Sequence, residues 1–395
     1  MRDLDTSRLM RRLVEDIGPR WAGAESGGNL RAAEVIREEL EGRGIGSGPY
    51  TSVSLASFPF AGWELLAEPQ LSITAPERRE LPVALMEYSG LAPYPSLEGR
   101  IGPAGQAHVV PGFLDWPQYG LYHDDGHLLA LFVGHEGLSG WDAPPIPLHN
   151  PEPTFAYPMA MLGQRDHRWI GDALARGVEL RASFTGGGRP TTLQGHNVVA
   201  RLEGERPETV VLTAHLDTSY GSPGANNNAG GVQVLASVAD RLIAEAGDAP
   251  ISGNSLELVF CDGTEWQFLG SRHYLFRRGM QQDAPPILAN INVDSVTRGE
   301  ELFLVSSDEW MKERLERVIE GLSLRDRFSS VNVLGAVAGS DHYPFIQAGI
   351  HATELLFWPC PTYKTPEDTM AGVDASRLRD AVEITQALIR SMEES

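Results

Sequence analysis

Polar side chains that could bind a metal or transfer a proton stand at the ends of four apolar runs in the second half of the chain. In order, they are His215, Asp217, Glu265, Asp294 and Lys364. The apolar runs, for example residues 210–213 and 287–293, are short and rich in branched side chains, which predicts buried strands of a parallel sheet. Because ligands of open α/β sheets bind beyond the carboxyl ends of the strands, we expect these side chains to share one crevice.

An imidazole, several carboxylates and an ammonium in one crevice could support metal binding or acid–base chemistry. A single His or Asp at a strand end is usually a hydrogen-bonded loop residue, whereas four such ends in sequence order favour a functional site. The oxygen and nitrogen donors suit zinc and related cations. The two cysteines, Cys261 and Cys360, are too few for a cysteine-rich zinc site, and buried unreactive thiols are the simpler interpretation.

Six short motifs surround these residues in the order found in one enzyme family. They are His-Leu-Asp-Thr at 215–218, Pro-Gly-Ala-Asn-Asn-Asn-Ala-Gly-Gly at 223–231, Thr-Glu at 264–265, Asn-Val-Asp at 292–294, Ser-Asp-His at 340–342 and Tyr-Lys-Thr-Pro-Glu-Asp-Thr at 363–369. With these motifs the chain resembles the zinc exopeptidases of metallopeptidase family M28, which include bacterial leucine aminopeptidases, glutamate carboxypeptidase and glutaminyl cyclases. The resemblance covers residues 195–395 and implies a zinc-exopeptidase fold with aminopeptidase-like ancestry.

The resemblance also implies roles for individual residues. His215 and Asp294 match the ligands of one metal in the family, and Glu265 matches a ligand of the other. Asp217 matches the carboxylate that orients the ligand histidine. His342 lies in the Ser-Asp-His motif, where a side chain that lines the crevice and a packed structural side chain are equal alternatives.

Three positions depart from the family's pattern. Asn227 replaces the aspartate that bridges both metals, Thr264 replaces the general base, and Lys364 replaces the last histidine ligand. A neutral amide is a poor bridge, a threonine hydroxyl cannot accept a proton at neutral pH, and an ammonium repels a metal. Glu265 and Asp294 could be balanced by Lys364 and a protonated histidine instead. We therefore expect no cofactor, or at most one divalent metal (zinc), and a salt bridge from Lys364 to Glu265 or Asp294.

Three functions are compatible with such a site. The first is a metal-free protein that binds a peptide or a small amino-acid-like ligand in the crevice, with weak or no aminopeptidase turnover. The second is a single-metal peptidase or amidohydrolase that acts on N-terminal residues or small amides. The third is a metal-free enzyme that uses Lys364 as a base or Schiff-base nucleophile. We favour the first over the second, because the charges of the site balance without a metal. Neighbouring carboxylates would raise the pKa of Lys364 and so oppose the third.

The elements that must position these residues alternate between strands and helices. Strands are predicted at 210–213, 256–260, 287–293, 302–305 and 352–357, and helices at 1–18, 28–43, 231–246, 309–322 and 375–392. This alternation predicts an α/β fold, with a mostly parallel sheet sandwiched by helices.

Residues 81–188 have a different composition from the rest of the chain. They contain many prolines, including those at 144, 145 and 147, together with short apolar runs such as 128–133. This pattern predicts an inserted, smaller, strand-rich module, closed by a helix at 169–176 and a strand at 178–180, which resembles a protease-associated domain. The predicted organisation is an exopeptidase-like domain made of residues 1–80 and 189–395, with the insert between them.

Charge and hydropathy exclude several kinds of partner. The chain has 395 residues, with 32 Lys and Arg against 53 Asp and Glu, so its formal net charge is −21. Such a surface repels nucleic acid and anionic membranes. The first residues lack the apolar segment of a signal peptide, and no run of ~20 apolar residues occurs, so we expect a soluble cytoplasmic protein. A homo-oligomer remains one alternative for its assembly.

Overall fold

The computed structural model describes residues 8–22, 27–86, 94–105, 118–134 and 157–393. The helices in these ranges are α1 (Arg8–Arg11, which continues as a π-helix, Arg12–Ile17), α2 (Gly28–Gly42), α3 (Gln164–Ala175), α4 (Gly230–Ala246), α5 (Leu269–Gly279), α6 (Glu309–Gly321), α7 (Leu324–Arg327), α8 (Tyr343–Gln347) and α9 (Ala375–Ser391). The strands are β1 (Thr51–Ala75), β2 (Arg79–Leu81), β3 (Val83–Leu85), β4 (Tyr94–Pro103), β5 (Gln118–Tyr122), β6 (Leu128–Gly134), β7 (Met159–Leu162), β8 (Leu180–Leu202), β9 (Gly204–His215), β10 (Ile251–Cys261), β11 (Ile287–Val293), β12 (Glu301–Val305), β13 (Ser330–Leu334) and β14 (His351–Trp358).

These strands form one mixed sheet. Its order is β13-β12-β14-β11-β9-β10-β8-β4-β5-β6-β7-β3, and β1 pairs with β8 and β2 off this path. The pairs β9–β10, β9–β11 and β11–β14 are parallel, and these four strands are consecutive in the sheet, in the order β14-β11-β9-β10. Parallel neighbours require crossover connections, which here contain helices such as α4 and α5. The α/β architecture predicted from the sequence is confirmed, whereas the sheet as a whole is mixed and not mostly parallel, because most of the other described strand pairs are antiparallel.

The main hydrophobic core lies between these parallel strands and the helices that cover them. It includes Ile36 of α2, Leu212 of β9, Val238 of α4, Leu258 of β10 and Leu388 of α9, all fully buried. The first ten residues of α4 are all buried, because this helix packs directly on the sheet. None of the described helices is long and apolar enough to span a bilayer.

A second core lies farther along the two long strands β1 and β8. Their antiparallel ladder runs from the pair Thr51–Leu202 to the pair Ala75–Arg181, with irregularities around residues 65–70. The second core contains Phe132 of β6 and Phe184 of β8, both fully buried, and α3 packs on it. The described residues of the predicted insert are strand-rich, whereas its prolines at 144–153 lie outside the described residues. The boundaries at 80/81 and 188/189 stay predictions, because β1 and β8 belong to both cores.

Candidate functional site

Strands β9, β10, β11 and β14 end at the same edge of the sheet, and the loops that follow them form a crevice. A cavity of about 210 Å³ in this crevice is lined by His215, Asn227, Thr264, Glu265, Gln267, Phe268, Asp294, Gly339, Tyr363 and Lys364. Six of the eight residues selected from the sequence are among these lining residues. The other two, Asp217 and His342, lie behind the wall of the cavity and are fully buried.

Lys364 and Glu265 form a buried ion pair inside the cavity. The ammonium Nζ of Lys364 donates to Oε2 of Glu265 at 2.5 Å, and the two side chains are 17% and 3% exposed. The side-chain amide of Asn227 donates to the other oxygen, Oε1, at 2.9 Å. Burial lowers the pKa of Lys364, but Glu265, Tyr363 and Asp294 outweigh burial, and the pKa lies above its ordinary value. Lys364 therefore stays charged at neutral pH.

His215 and Asp294 form a second charged pair beside the first. Nε2 of His215 lies 3.6 Å from Oδ2 of Asp294 and 3.3 Å from Oδ1 of Asn227. Burial lowers the pKa of His215, but Asp294 and Asp217 raise it well above its ordinary value overall. Burial raises the pKa of Asp294, whereas His215 and the Ser340 hydroxyl bring it down to about 2. The crevice thus pairs an imidazolium and an ammonium with two carboxylates.

Asp217 shapes the loop that carries Thr264 and Glu265. Its carboxylate accepts the backbone N–H groups of Thr264 at 3.2 Å and Glu265 at 3.0 Å. Oδ1 of Asp217 also lies 3.5 Å from Nδ1 of His215. The Thr264 hydroxyl donates to the buried Asp341 at 2.6 Å. The Thr264 hydroxyl therefore stabilises the loop, and Asp217 connects this loop to the imidazole.

His342 is packed behind the crevice. Its Nε2 lies 2.9 Å from the carbonyl oxygen of Val337, and its Nδ1 lies 3.5 Å from Oε2 of Glu354. Burial lowers the pKa of His342 to about 4, so the ring is neutral. Burial, together with repulsion from Asp294 and Asp341, raises the pKa of Glu354 to about 8. Of the two roles considered for His342, the geometry corresponds to the packed structural one.

Strained backbone is concentrated around the cavity. In the described part of the chain, the residues other than glycine with a positive φ are Gln267 (66°), Phe268 (62°), Ser295 (54°), Ser323 (50°) and Lys364 (60°). Three of these line the cavity, and the Ser295 hydroxyl donates to Asp294 at 2.9 Å. Residues other than glycine rarely adopt this backbone conformation unless the surroundings impose it, and such residues cluster at functional sites.

Two buried charged residues that the sequence reasoning missed hold the loop around Asn227. Arg20 is fully buried and donates to the carbonyl oxygen of Leu216 at 2.7 Å. Burial lowers its pKa to about 10, so the guanidinium stays charged. Asp368 accepts the backbone N–H groups of Asn226 at 2.9 Å and Asn227 at 3.0 Å. Asp368 stands inside the motif at 363–369, which was the available signal, whereas nothing in the local sequence marks Arg20.

The three crevice residues that the sequence predicts as metal ligands are not gathered around one point. His215, Glu265 and Asp294 do not place their ligand atoms within 4.8 Å of one another. Among the residues that the structure describes, such a cluster of three occurs elsewhere, on the exposed turn between β5 and β6. Cys261 and Cys360 are both buried free thiols. The crevice therefore presents two ion pairs rather than a set of converging ligands.

Comparisons with known proteins agree with this architecture. Residues 197–389 match the model of Peptidase family M28. Aminopeptidase YwaD of Bacillus subtilis (strain 168) is 27% identical over 198 residues, which cover 47% of this chain and 41% of that protein. The matched region therefore spans less than half of this curated relative.

Several solved structures have a similar fold over nearly the whole chain. BSAP, a zinc aminopeptidase from Bacillus subtilis, superposes with a TM-score of 0.73 at 19% identity, covering 97% of this chain and 93% of its own. A Peptidase M28 precursor from Shewanella amazonensis SB2B gives a TM-score of 0.76 at 17% identity, with coverages of 99% and 93%. An Acidobacteriales glutaminyl cyclase gives 0.56 at 15% identity, with coverages of 98% and 94%. At these identities the likeness shows the fold.

Proposed function

Because residues 197–389 of this chain belong to Peptidase family M28, we propose that the chain is a ligand-binding member of that family whose crevice is balanced in charge without a metal. The proposed ligand is a peptide or a small amino-acid-like molecule, and ordinary aminopeptidase turnover is weak or absent. The observation that carries this proposal is the contact of 2.5 Å between Nζ of Lys364 and Oε2 of Glu265.

The crevice residues do not fit the pair of zinc ions that the family implies. A zinc–carboxylate bond of about 2.0–2.2 Å needs a free oxygen lone pair directed at the metal. Both oxygens of Glu265 instead accept hydrogen bonds, one from Lys364 and one from Asn227, and the ammonium of Lys364 at 2.5 Å would repel a cation bound to the same carboxylate. Asn227 directs its amide N–H towards Glu265 and offers a single, neutral oxygen. It therefore cannot bridge two metals as an aspartate carboxylate does.

The cavity suits a small ligand that carries both charges. Its volume of about 210 Å³ is below the ~300–1,000 Å³ of pockets for drug-sized molecules. One amino acid, or the end of a peptide, is a ligand of the appropriate size. Its ammonium could replace Lys364 beside Glu265, and its carboxylate could pair with Lys364 or with His215. The aromatic side chains of Phe268 and Tyr363 supply an apolar wall for a side chain.

Elemental analysis tests the absence of a metal directly. The protein should be purified without chelators or a nickel column, in a His127→Ala background that removes the exposed cluster between β5 and β6 as a source of zinc. We expect far less than one zinc per chain. The double variant Asn227→Asp/Lys364→His should instead become more stable when zinc is added. Two tightly bound zinc ions in the His127→Ala protein would refute the proposal.

Ligand binding and turnover are tested on the same protein. We expect single amino acids or dipeptides, titrated calorimetrically, to bind the unmodified crevice and to bind Lys364→Met more weakly. A turnover of ~1–10³ per second on aminoacyl anilides, typical of enzymes, would return the single-metal peptidase to first place. Lys364 as a catalytic base or nucleophile is disfavoured, because the pKa of its ammonium is raised.

A further inference from the structure

The exposed turn between β5 and β6 carries two imidazoles and one carboxylate that face one another. These are His123, Asp125 and His127, whose ligand atoms all lie within 4.8 Å of one another. Oδ1 of Asp125 lies 3.1 Å from Nδ1 of His123 and 2.5 Å from Nδ1 of His127. The three side chains are between 51% and 60% exposed, so a hydrated cation can reach them from solvent.

The backbone of the turn holds these groups in place. The backbone N–H of His123 donates to the backbone carbonyl oxygen of His127 at 3.0 Å, so the two histidines face each other across the turn. Their rings stack with centroids 4.9 Å apart, and Nδ1 of His123 also accepts the backbone N–H of Asp125 at 3.4 Å, so at least one exposed ring must rotate for both nitrogen lone pairs to meet at one ion. Gly126 has a φ of 94°, which lets the chain reverse direction. Asp125 accepts the backbone N–H of His127 at 3.1 Å, which brings its carboxylate back over the pair.

A neighbouring aspartate fixes the turn to the rest of the sheet. The Asp124 carboxylate lies 3.0 Å from the guanidinium of Arg181 on β8 and 3.9 Å from that of Arg100 on β4. These contacts balance positive charge that would otherwise repel a cation close to the turn. The same contacts restrain the turn before a ligand binds, so binding costs less conformational entropy.

From this geometry we propose that the turn binds one divalent transition-metal ion of the zinc, nickel and copper group. Imidazole nitrogen together with a carboxylate oxygen is a preferred donor set for these metals. Bonds of about 2.0–2.1 Å at tetrahedral angles place ligand atoms about 3.3 Å apart. The separations of 3.1 and 2.5 Å between Asp125 and the two histidines must lengthen slightly, which requires an outward movement of Asp125 and rotation of the exposed rings. Three protein ligands leave a fourth position for water. This site does not depend on the function proposed for the crevice.

Calorimetric titration of the whole chain with zinc chloride alone tests the proposal. The protein should be free of any polyhistidine tag and dialysed against a chelator beforehand. We expect one zinc per chain at this site, and His123→Ala, Asp125→Asn and His127→Ala should each weaken the affinity at least about tenfold. His351→Ala is the matched control, because His351 is also exposed and pairs with Asp308 at 2.8 Å outside any such cluster. Its affinity for zinc should equal that of the unmodified chain.

The outcomes separate a built site from general binding to surface histidines. No saturable binding at zinc concentrations on the order of 100 μM would overturn the proposal. So would a double variant, His123→Ala/His127→Ala, that keeps the original affinity, or an equal loss of affinity in His351→Ala. The substituted positions are exposed, and far-ultraviolet circular dichroism will verify that each variant is folded.

Discussion

Replacing Lys364 by methionine tests whether the ammonium stabilises the crevice. Methionine keeps most of the volume and removes the charge, so Glu265 keeps the Asn227 amide at 2.9 Å and loses the ammonium at 2.5 Å. Removing one partner of a buried ion pair costs about 3–5 kcal/mol of unfolding free energy. Since the Lys364 side chain is 17% exposed at an open cavity, we expect the low end of this range, about 3 kcal/mol.

Urea denaturation, followed by the fluorescence of the 8 tryptophans, measures this loss. Glu265→Gln and the double variant Lys364→Met/Glu265→Gln complete a double-mutant cycle. Because a glutamine amide needs no counter-charge, the double variant should be more stable than Lys364→Met alone, with a coupling energy of about 1–3 kcal/mol. The reasoning fails if Lys364→Met unfolds with the free energy of the unmodified chain, or if the two single effects simply add.

Three further predictions concern the site and its supports. Asp368→Asn should lower the unfolding free energy by about 1–3 kcal/mol. The amide N–H₂ of the asparagine would then face the backbone N–H of Asn226 or Asn227, where a carboxylate oxygen now accepts a hydrogen bond. Asp368→Glu, which keeps the charge and changes the length of the side chain, is the control in the same urea assay. Burial raises the pKa of Glu354 from 4.5 to about 8, so the folded state holds this proton more tightly and stability must fall as pH rises towards and through 8. Between pH 6 and pH 9 the unmodified chain should therefore lose roughly 1–3 kcal/mol more than Glu354→Gln does, and equal losses would contradict this assignment. Hydrolysis of leucyl anilide should be slower by about 10²–10⁴-fold than in a relative with a carboxylate base, a comparison that a single plate assay with added zinc can make.

The strands that carry the site were the most predictable part of the fold. Strand β11 has the predicted bounds, 287–293, and α4 begins one residue before its predicted start at 231. Strands buried on both faces are mostly apolar (β11 also contains Asn290 and Asn292), and a helix packed on them keeps a regular apolar face, so neither signal depends on distant partners.

The long strand β1 could not be predicted in this way. Pro59, Gly62 and Pro69 indicate turns or loops when they are considered by sequence alone. In the structure, residues 51–70 of β1 pair with β8 and, among the described residues, with no second strand. Proline and glycine are tolerated at such an edge because one side of the strand needs no hydrogen-bond donors.

The candidate site shows the same division between local and distant information. The order of the motifs was sufficient to predict that Lys364 contacts Glu265 or Asp294, because all three residues follow parallel strands of one sheet, and the structure has the contact with Glu265. Arg20 could not be found, because its partners are backbone carbonyl groups such as that of Leu216, 196 residues away. Carbonyl groups are present at every position, so a side chain that binds them leaves no pattern in the sequence.

The ladder of β1 and β8 determines how this chain could be divided or recombined. Both strands run without interruption from one core into the other, so the two cores are joined by paired backbone instead of a linker. Leu55 of β1 and Val198 of β8 pack in the main core, whereas Phe58 of β1 and Phe184 of β8 pack in the second. Exchange of the second core between relatives therefore requires both strands to be transplanted whole. For the same reason, any rotation of one core relative to the other must twist this ribbon, and we expect the irregularities around residues 65–70 to absorb that torsion.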